Sequence, residues 1–374
     1  MMDQDIISRA VALRHELHAH PELSMQETWT KAHLMDFLRA NTSLRVVDCG
    51  RWFYACYDAG TERPAIAFRA DFDALPVEEA PTLCPYASTV PGVSHKCGHD
   101  GHSAALAAFA MELDRNGANQ NICLVFQHAE ETGKGARECV ETLRTLGISE
   151  IYGVHNLPGL RLGAIAAPSG TAQFASTGVV LTFEGAKSHA CYPENGRNPA
   201  FAIAEVVLAL EELRRSGNYR GMTLITVIEV QVGERAFGTS AGHGELLLTV
   251  RAADGDELRD LLARIEALAR QRAEAHGLGL QVSFDDAFPD TTNDPACAAK
   301  VRRAAERANV PVEELREPFR ASEDFGWYTK FLPGAIFYVG AGESHAPIHT
   351  AEYDFPDEII PVIAEMYRSI LELS

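Results

Sequence analysis

The stretch Ser94-His95-Lys96-Cys97-Gly98-His99-Asp100-Gly101-His102 sets a thiol, three imidazoles and a carboxylate into nine residues, then runs directly into the apolar SAALAAFAMEL of 103–113. A reactive loop that feeds an apolar helix is one edge of an α/β crevice, and the other edge should be strand ends. Several short apolar runs stop on residues of that kind. IAFRADFD (66–73) ends on Asp71 and Asp73, ICLVFQHAEE (122–131) on Glu130 and Glu131, and IYGVHN (151–156) on His155. AIFYVGAGESHAPIHT (335–350) delivers His345 and His349.

Alternating helix and strand signals surround these runs and predict a three-layer α/β domain with a largely parallel sheet. A helix over residues 4–20 is stopped by Pro21, and a second amphipathic stretch is ETWTKAHLMDFLRAN (27–41). Strands are predicted at 51–57, 65–69, 121–126 and 151–154, with a helix over 99–115. From about 175 the pattern changes. VVLTFEGAKSHA reads as a strand, NPAFAIAEVVLALEELRRS as a helix, TLITVIEVQVG and GELLLTVRAA as strands, DELRDLLARIEALARQRAEAHG as a helix, and LGLQVSFDD closes the set. The expected organisation is residues 1–174 and 286–374 as the metal-binding domain, with 175–285 inserted as an α+β domain.

Bulk properties narrow the function classes. A length of 374 residues exceeds what one hydrophobic core usually supports. The formal charge of −19 repels phosphate backbones and anionic lipid, so neither nucleic acid nor membrane is expected as a partner. The N-terminus carries acids where a secretion signal needs bases, and no apolar run reaches a membrane-spanning length, which predicts a cytoplasmic protein. Cys49, Cys56, Cys84, Cys97, Cys123, Cys139, Cys191 and Cys297 are scattered without paired spacing, so no disulfide framework is expected.

Cys97, His99, Glu131, His155 and His349 together mix thiolate, imidazole and carboxylate, a donor set suited to zinc, manganese or cobalt. Taken singly, a Cys-x-His or a Glu-Glu carries little weight; their joint occurrence at strand ends carries the reading. An adjacent Glu-Glu lets one carboxylate bind metal while its neighbour moves a proton. RHELH (14–18) imitates a zinc-protease helix, but His15 and His18 are three apart rather than four, which puts them on a polar helix face instead. His102 and His128 are further candidates that spacing does not favour.

These residues carry a resemblance. HPELS (20–24), FRADFDALP (68–76), CGHDGH (97–102), VFQHAEETGKGA (125–136), GVHNLPG (153–159), GAKSHA (185–190), SEDFGWY (322–328) and HTAEYDFPDE (349–358) occur in the order found in one family. That family is the amidohydrolases that include indole-acetyl-amino-acid hydrolases, hippurate hydrolases and aminoacylases, relatives of the carboxypeptidase-like dimeric zinc peptidases. The resemblance implies hydrolysis of a small N-acyl compound at a site holding two divalent metal ions, and a homodimer formed through the inserted lid domain. It implies Cys97, His99, Glu131, His155 and His349 as metal ligands, Glu130 as general base and Asp73 as an orienting carboxylate. His189 resembles the histidine that reaches the other subunit's site to stabilise the oxyanion.

The segment VGERAFGTSAGHGEL (232–246) departs from the family pattern: the asparagine is missing, with Gly238 or a neighbour in its place, and His243 is an unfamiliar addition. Asp285 and Asp286 stand where glutamate-releasing relatives place an arginine, which argues against an acidic leaving group. The same site could instead hydrolyse dipeptides or N-carbamoyl compounds or deaminate an aromatic amine. A binding module would not need the free carboxylate of Glu130, and a redox role for Cys97 is the lesser alternative to ligation.

Overall fold

Six apolar runs and one short amphipathic strand become a seven-stranded sheet in the computed structural model, which describes residues 2–80, 84–315 and 317–374. The chain opens with helices α1 (Gln4–Ala19) and α2 (Trp29–Asn41) and strands β1 (Arg45–Asp48), β2 (Phe53–Tyr57) and β3 (Ala65–Asp71). Helix α3 (His99–Asn116), strand β4 (Ile122–Gln127), helix α4 (Gly135–Thr145) and strands β5 (Ile148–Pro158), β6 (Ile165–Ala166) and β7 (Gly170–Gln173) follow. Then come β8 (Ala175–Glu184), α5 (Ala200–Arg215), β9 (Thr223–Val232), β10 (His243–Ala252), α6 (Gly255–Ala275) and β11 (Gly279–Phe288). The remainder is β12 (Thr291–Asn293), α7 (Pro295–Arg307), α8 (Gly326–Thr329), β13 (Gly334–Gly342) and α9 (Ile360–Leu371).

These elements form two units. The first comprises Met1–Ala172, Thr291–Pro318 and Glu323–Ser374. Its sheet runs β1-β2-β4-β3-β5-β13-β6, and the central β4, β3, β5 and β13 are mutually parallel. Parallel strands are covered on both faces, which is why β4 and β13 read as unbroken apolar runs. Helix α3 buries nearly every side chain, and its run of alanines lets it lie close against the sheet. Phe68, Phe109, Phe337 and Tyr367 knit α3, the sheet and α9 into one core.

The second unit comprises Gln173–Asp290 and Phe319–Ser322. Its four strands run β11-β8-β10-β9, all antiparallel. Alternate residues of β8 and β10, such as Leu181, Phe183, Leu246, Leu248 and Val250, pack with α5 and α6. Helix α6 starts on Asp254, whose side chain accepts the N–H groups of Asp256 and Glu257. The outer strand β9 leaves Val227, Ile228 and Val230 exposed.

Two local expectations fail. The strand expected through GAKSHA stops at Glu184, because a side chain at Gly185 would lie 1.9 Å from the Arg197 carbonyl and the chain turns off to pair Ala186 with Arg197. His155 does not end its strand either: β5 continues to Pro158, and His155 faces Tyr338 of β13 in register. No helix among the described residues is long and apolar enough to cross a membrane.

Candidate metal centre

The carboxyl ends of β3 and β4, the interior of β5 and the loop beyond β13 converge on the start of α3. Gly98 makes the entry possible. Its φ of +102° suits glycine, and a Cβ there would lie 2.3 Å from Asn156 Oδ1. Cys97 therefore sits just outside the helix and His99 in its first turn.

Cys97 Sγ lies 3.4 Å from His155 Nε2 and 3.4 Å from His349 Nε2. Glu131 Oε1 is 3.7 Å from His99 Nε2 and 3.6 Å from His349 Nε2. The donor atoms of Cys97, His99 and His155 fall within 4.8 Å of one another, as do those of Cys97, Glu131 and His349, so the thiol is common to two candidate triads. His349 reaches this position from a left-handed backbone, φ +64°, with its N–H donated to the Lys96 carbonyl at 2.7 Å.

The orientation of the imidazoles is fixed from behind. His99 Nδ1 donates to Asp73 Oδ1 at 3.1 Å, and His155 Nδ1 donates to the Asn156 carbonyl at 2.8 Å, so each turns Nε2 to the cluster. Asp73 is itself held by the Ser24 hydroxyl at 2.7 Å and the Glu131 N–H at 3.0 Å. His99 Nε2 and Glu131 Oε1 are buried and have no hydrogen-bond partner. Two orphaned polar atoms 3.7 Å apart, in a set of thiol, imidazole and carboxylate, fit a bound cation.

The electrostatics fit as well. Burial opposes the charged His99, yet Asp71, Asp73 and Glu131 hold its imidazolium up at about 10. Burial, with Glu131 and Glu130, drives the Cys97 thiol well above its ordinary range. Burial lifts Glu131 to about 7 despite His99, and burial with Glu323 and Glu131 lifts Glu130 well above the carboxylate range. The pocket is overfull of acids that a dication would neutralise.

Glu130 stands beside these two triads and forms a further candidate group with His99 and Glu131. It is 4% exposed, Oε1 accepts the Asp324 N–H at 3.3 Å, and Oε2 lies 3.8 Å from His99 Nε2. His189 belongs to the second unit, exposed in the loop after β8, with Nδ1 accepting the Cys191 N–H at 3.1 Å. His243 opens β10 and pairs with Glu184 at 2.9 Å.

His102 bridges Asp71 at 2.7 Å and Asn156 at 2.6 Å, which occupies both its ring nitrogens. His128 lies 3.3 Å from Glu138 of α4. The polar-face expectation for RHELH is overturned at His18. That ring is fully buried, between Asp100 at 2.7 Å and Glu79 at 2.8 Å, while Lys96 also contacts Glu79.

Sequence reasoning assigns no role to Ser24 of HPELS, to Glu27 just after it, to Arg69, or to Glu323 and Asp324 of SEDFGWY. Arg69 is completely buried and bonds Asp71 at 2.6 Å, Glu323 at 3.0 Å and Asp324 at 2.8 Å. Asp324 also accepts the Ala136 N–H at 2.8 Å and, through Gln127, ties β4 to this group. The signal available was a charged residue, Arg69, inside an otherwise apolar strand, which must find carboxylates.

Comparison with known proteins agrees with the resemblance read from the motifs. The pattern of Peptidase family M20/M25/M40 matches residues 67–373. N-acetyl-L-cysteine deacetylase of Bacillus subtilis is 32% identical over 367 residues, covering 97% of this chain and 88% of that protein. N-acetyldiaminopimelate deacetylase of Exiguobacterium sibiricum is 28% identical over 368 residues, covering 96% and 97%. Among solved structures, a dinuclear metal binding peptidase of family M20 from Bacillus subtilis superposes with a TM-score of 0.84 at 25% identity, covering 99% of each chain. The chain thus belongs to Peptidase family M20/M25/M40.

Proposed function

We propose that this protein is a metal-dependent amidohydrolase that cleaves the amide bond of an N-acyl amino acid or similar small N-acyl compound. The observation that carries the reading is the adjacent glutamate pair at the centre of the cluster: Glu131 groups with Cys97 and His349, and both glutamates group with His99, while one Glu130 oxygen is tied to a backbone N–H. The similarity to two deacetylases of N-acyl amino acids supports the substrate class.

Cys97, His99, Glu131, His155 and His349 would hold two divalent ions; zinc, manganese or cobalt suits the donors. Such ions supply Lewis acidity, polarising an amide carbonyl and acidifying water. Glu130 takes the proton from the attacking water at Oε2, because Oε1 is engaged by Asp324, and returns it to the leaving nitrogen. Asp73 keeps the His99 ring turned and its tautomer fixed.

The partner subunit's His189 would stabilise the tetrahedral oxyanion, which requires a homodimer. The exposed β9 residues Val227, Ile228 and Val230, with Phe201 and Leu208 of α5 at 66% and 82% exposure, support the second unit as the dimer face.

The test is an assay of N-acetyl amino acids, hippurate, dipeptides and N-carbamoyl amino acids with the metal-loaded protein and its Glu130→Gln variant. N-acyl amino acids should be the best substrates, and Glu130→Gln should keep its metal while losing about a hundredfold or more in kcat. Turnover of dipeptides or carbamoyl compounds alone would reassign the substrate. An active Glu130→Gln would remove Glu130 from proton transfer.

A further inference from the structure

Away from the metal centre, two cysteines face each other across the sheet. Cys56 of β2 and Cys123 of β4 are directly opposite in the antiparallel register, flanked by Ala55 against Leu124 and Tyr57 against Ile122. On the other side of β2, Arg45 of β1 stands opposite Cys56, and its guanidinium lies 3.7 Å from the Cys56 sulfur. Cys123 is 2% exposed, whereas Cys56 is partly open to solvent. Cys49 and Tyr54 border the pair, and the Asp58 carboxylate opposes charge on Cys56.

We propose that Cys56 and Cys123 form a thiol oxidation site, in which Cys56 reacts with a hydroperoxide and Cys123 resolves the product into a reversible cross-strand disulfide. The Cys56 thiolate attacks the distal peroxide oxygen and breaks the O–O bond. Cys56 is thereby oxidised to a sulfenic acid, and the peroxide is reduced to hydroxide or alkoxide, which takes up a proton. The Cys123 sulfur then attacks the Cys56 sulfur; the S–O bond breaks, water leaves with the Cys123 proton, and the S–S bond forms.

Three features divide these roles. The Cys56 thiol is drawn down to about 7 by its contact with Cys123 and, against the opposing effect of burial, by Arg45, which favours Cys56 as the attacking thiolate. Cys123 is pushed up by the same contact and by burial, and it stays a thiol until a sulfur electrophile is beside it. The spacing suits the bond: residues directly opposite on antiparallel strands hold their Cβ atoms about 4.5–5.5 Å apart, and a disulfide needs about 3.5–4.5 Å. A movement of about an ångström closes the gap. The exposed Cys191 has no such arrangement, since its polar neighbour is the His189 ring in the same loop.

The experiment treats the full-length protein with hydrogen peroxide at about neutral pH, blocks free thiols, and maps peptides without reduction. The Cys56 and Cys123 peptides should be joined, and dithiothreitol should separate them. In Cys123→Ser, a sulfenic acid trapped by dimedone should accumulate at Cys56. In Arg45→Ala, Cys56 should react about tenfold more slowly as its thiolate fraction falls. The proposal is overturned if Cys56 stays reduced while Cys191 oxidises, if Cys56 joins Cys49 instead, or if Arg45→Ala leaves the rate unchanged. The readout is covalent and does not depend on catalytic activity, so it stands apart from the hydrolase reading.

Discussion

Glu27 accepts the Ala129 N–H at 2.8 Å, and Ala129 is the residue immediately before Glu130 and Glu131. Ala129 has φ +49°, a left-handed conformation that costs energy for any residue with a Cβ, and its carbonyl accepts the N–H groups of Lys134 and Gly135. The turn that aims the glutamate pair is therefore pinned by a side chain from a distant segment. Glu27 acts in this arrangement by holding the backbone that carries the glutamate pair.

Replacing Glu27 separates its two possible contributions. Glu27→Gln keeps an oxygen for the Ala129 N–H and should remain within a few-fold of the parent. Glu27→Ala leaves that buried N–H unpaired, at about 1–3 kcal/mol. Its kcat should fall at least about tenfold with KM little changed. Steady-state kinetics of both variants beside their melting temperatures decide the matter. Equal losses in Gln and Ala variants, or a loss confined to KM, would count against positioning.

Asp73→Asn should loosen the metal rather than the fold. The carboxylate holds the His99 ring, the Ser24 hydroxyl and the Glu131 N–H, so its charge bears on two proposed ligands at once. Changes at such supporting groups weaken metal binding by about 10–100-fold. Competition with a coloured chelator measures this directly; unchanged affinity would leave Asp73 a purely structural acid.

Arg69→Met should be among the most damaging changes outside the centre. It strands Asp71, Glu323 and Asp324 in a buried pocket without their cation. Breaking a buried ion group costs about 3–5 kcal/mol. Urea unfolding, with β-sheet ellipticity as the signal, should show that loss. A change under about 1 kcal/mol would mean that the acids simply protonate.

The parts of this molecule that the sequence exposes are those with a strong local signal. Strands β3, β4 and β13 announce themselves as apolar runs, and the proposed ligands cluster where those runs meet polar residues. Helix α4 and strand β1 carry only a weak local signal: β1 is a four-residue edge strand exposed at both ends, and α4 is mostly polar with a narrow apolar stripe. The supporting shell was illegible for a different reason. Ser24, Glu27 and Arg69 reach partners 49, 102 and 255 residues away, Asp73, Ala129 and Asp324, through side-chain hydrogen bonds, which leave no periodicity to read. His18 misled because helical spacing reveals a face but not what covers it; Asp100 and Glu79 cover it here.

That buried His18 should make stability depend on pH. Burial works against its charge, yet Asp100 above all, with Glu79, holds the imidazolium up at about 10, against 6.5 for an ordinary histidine. A raised folded-state value favours the native protein fully below pH 6.5, and the contribution is lost as pH rises from 6.5 through about 10. Glu79 behaves in the opposite sense: burial opposes its charge, but His18 and Lys96 draw it down to about 2 from 4.5, so its contribution is present above 4.5 and lost as pH falls toward 2. The two overlap fully between 4.5 and 6.5. His18→Gln leaves Asp100 paired with Arg14 and Glu79 paired with Lys96, so the variant should still fold. Its melting temperature should lie well below the parent's at pH 6, and the gap should narrow steadily toward pH 10. Thermal melts of both proteins across that range test it, and a gap that holds constant with pH would mean that His18 is neutral in the folded state.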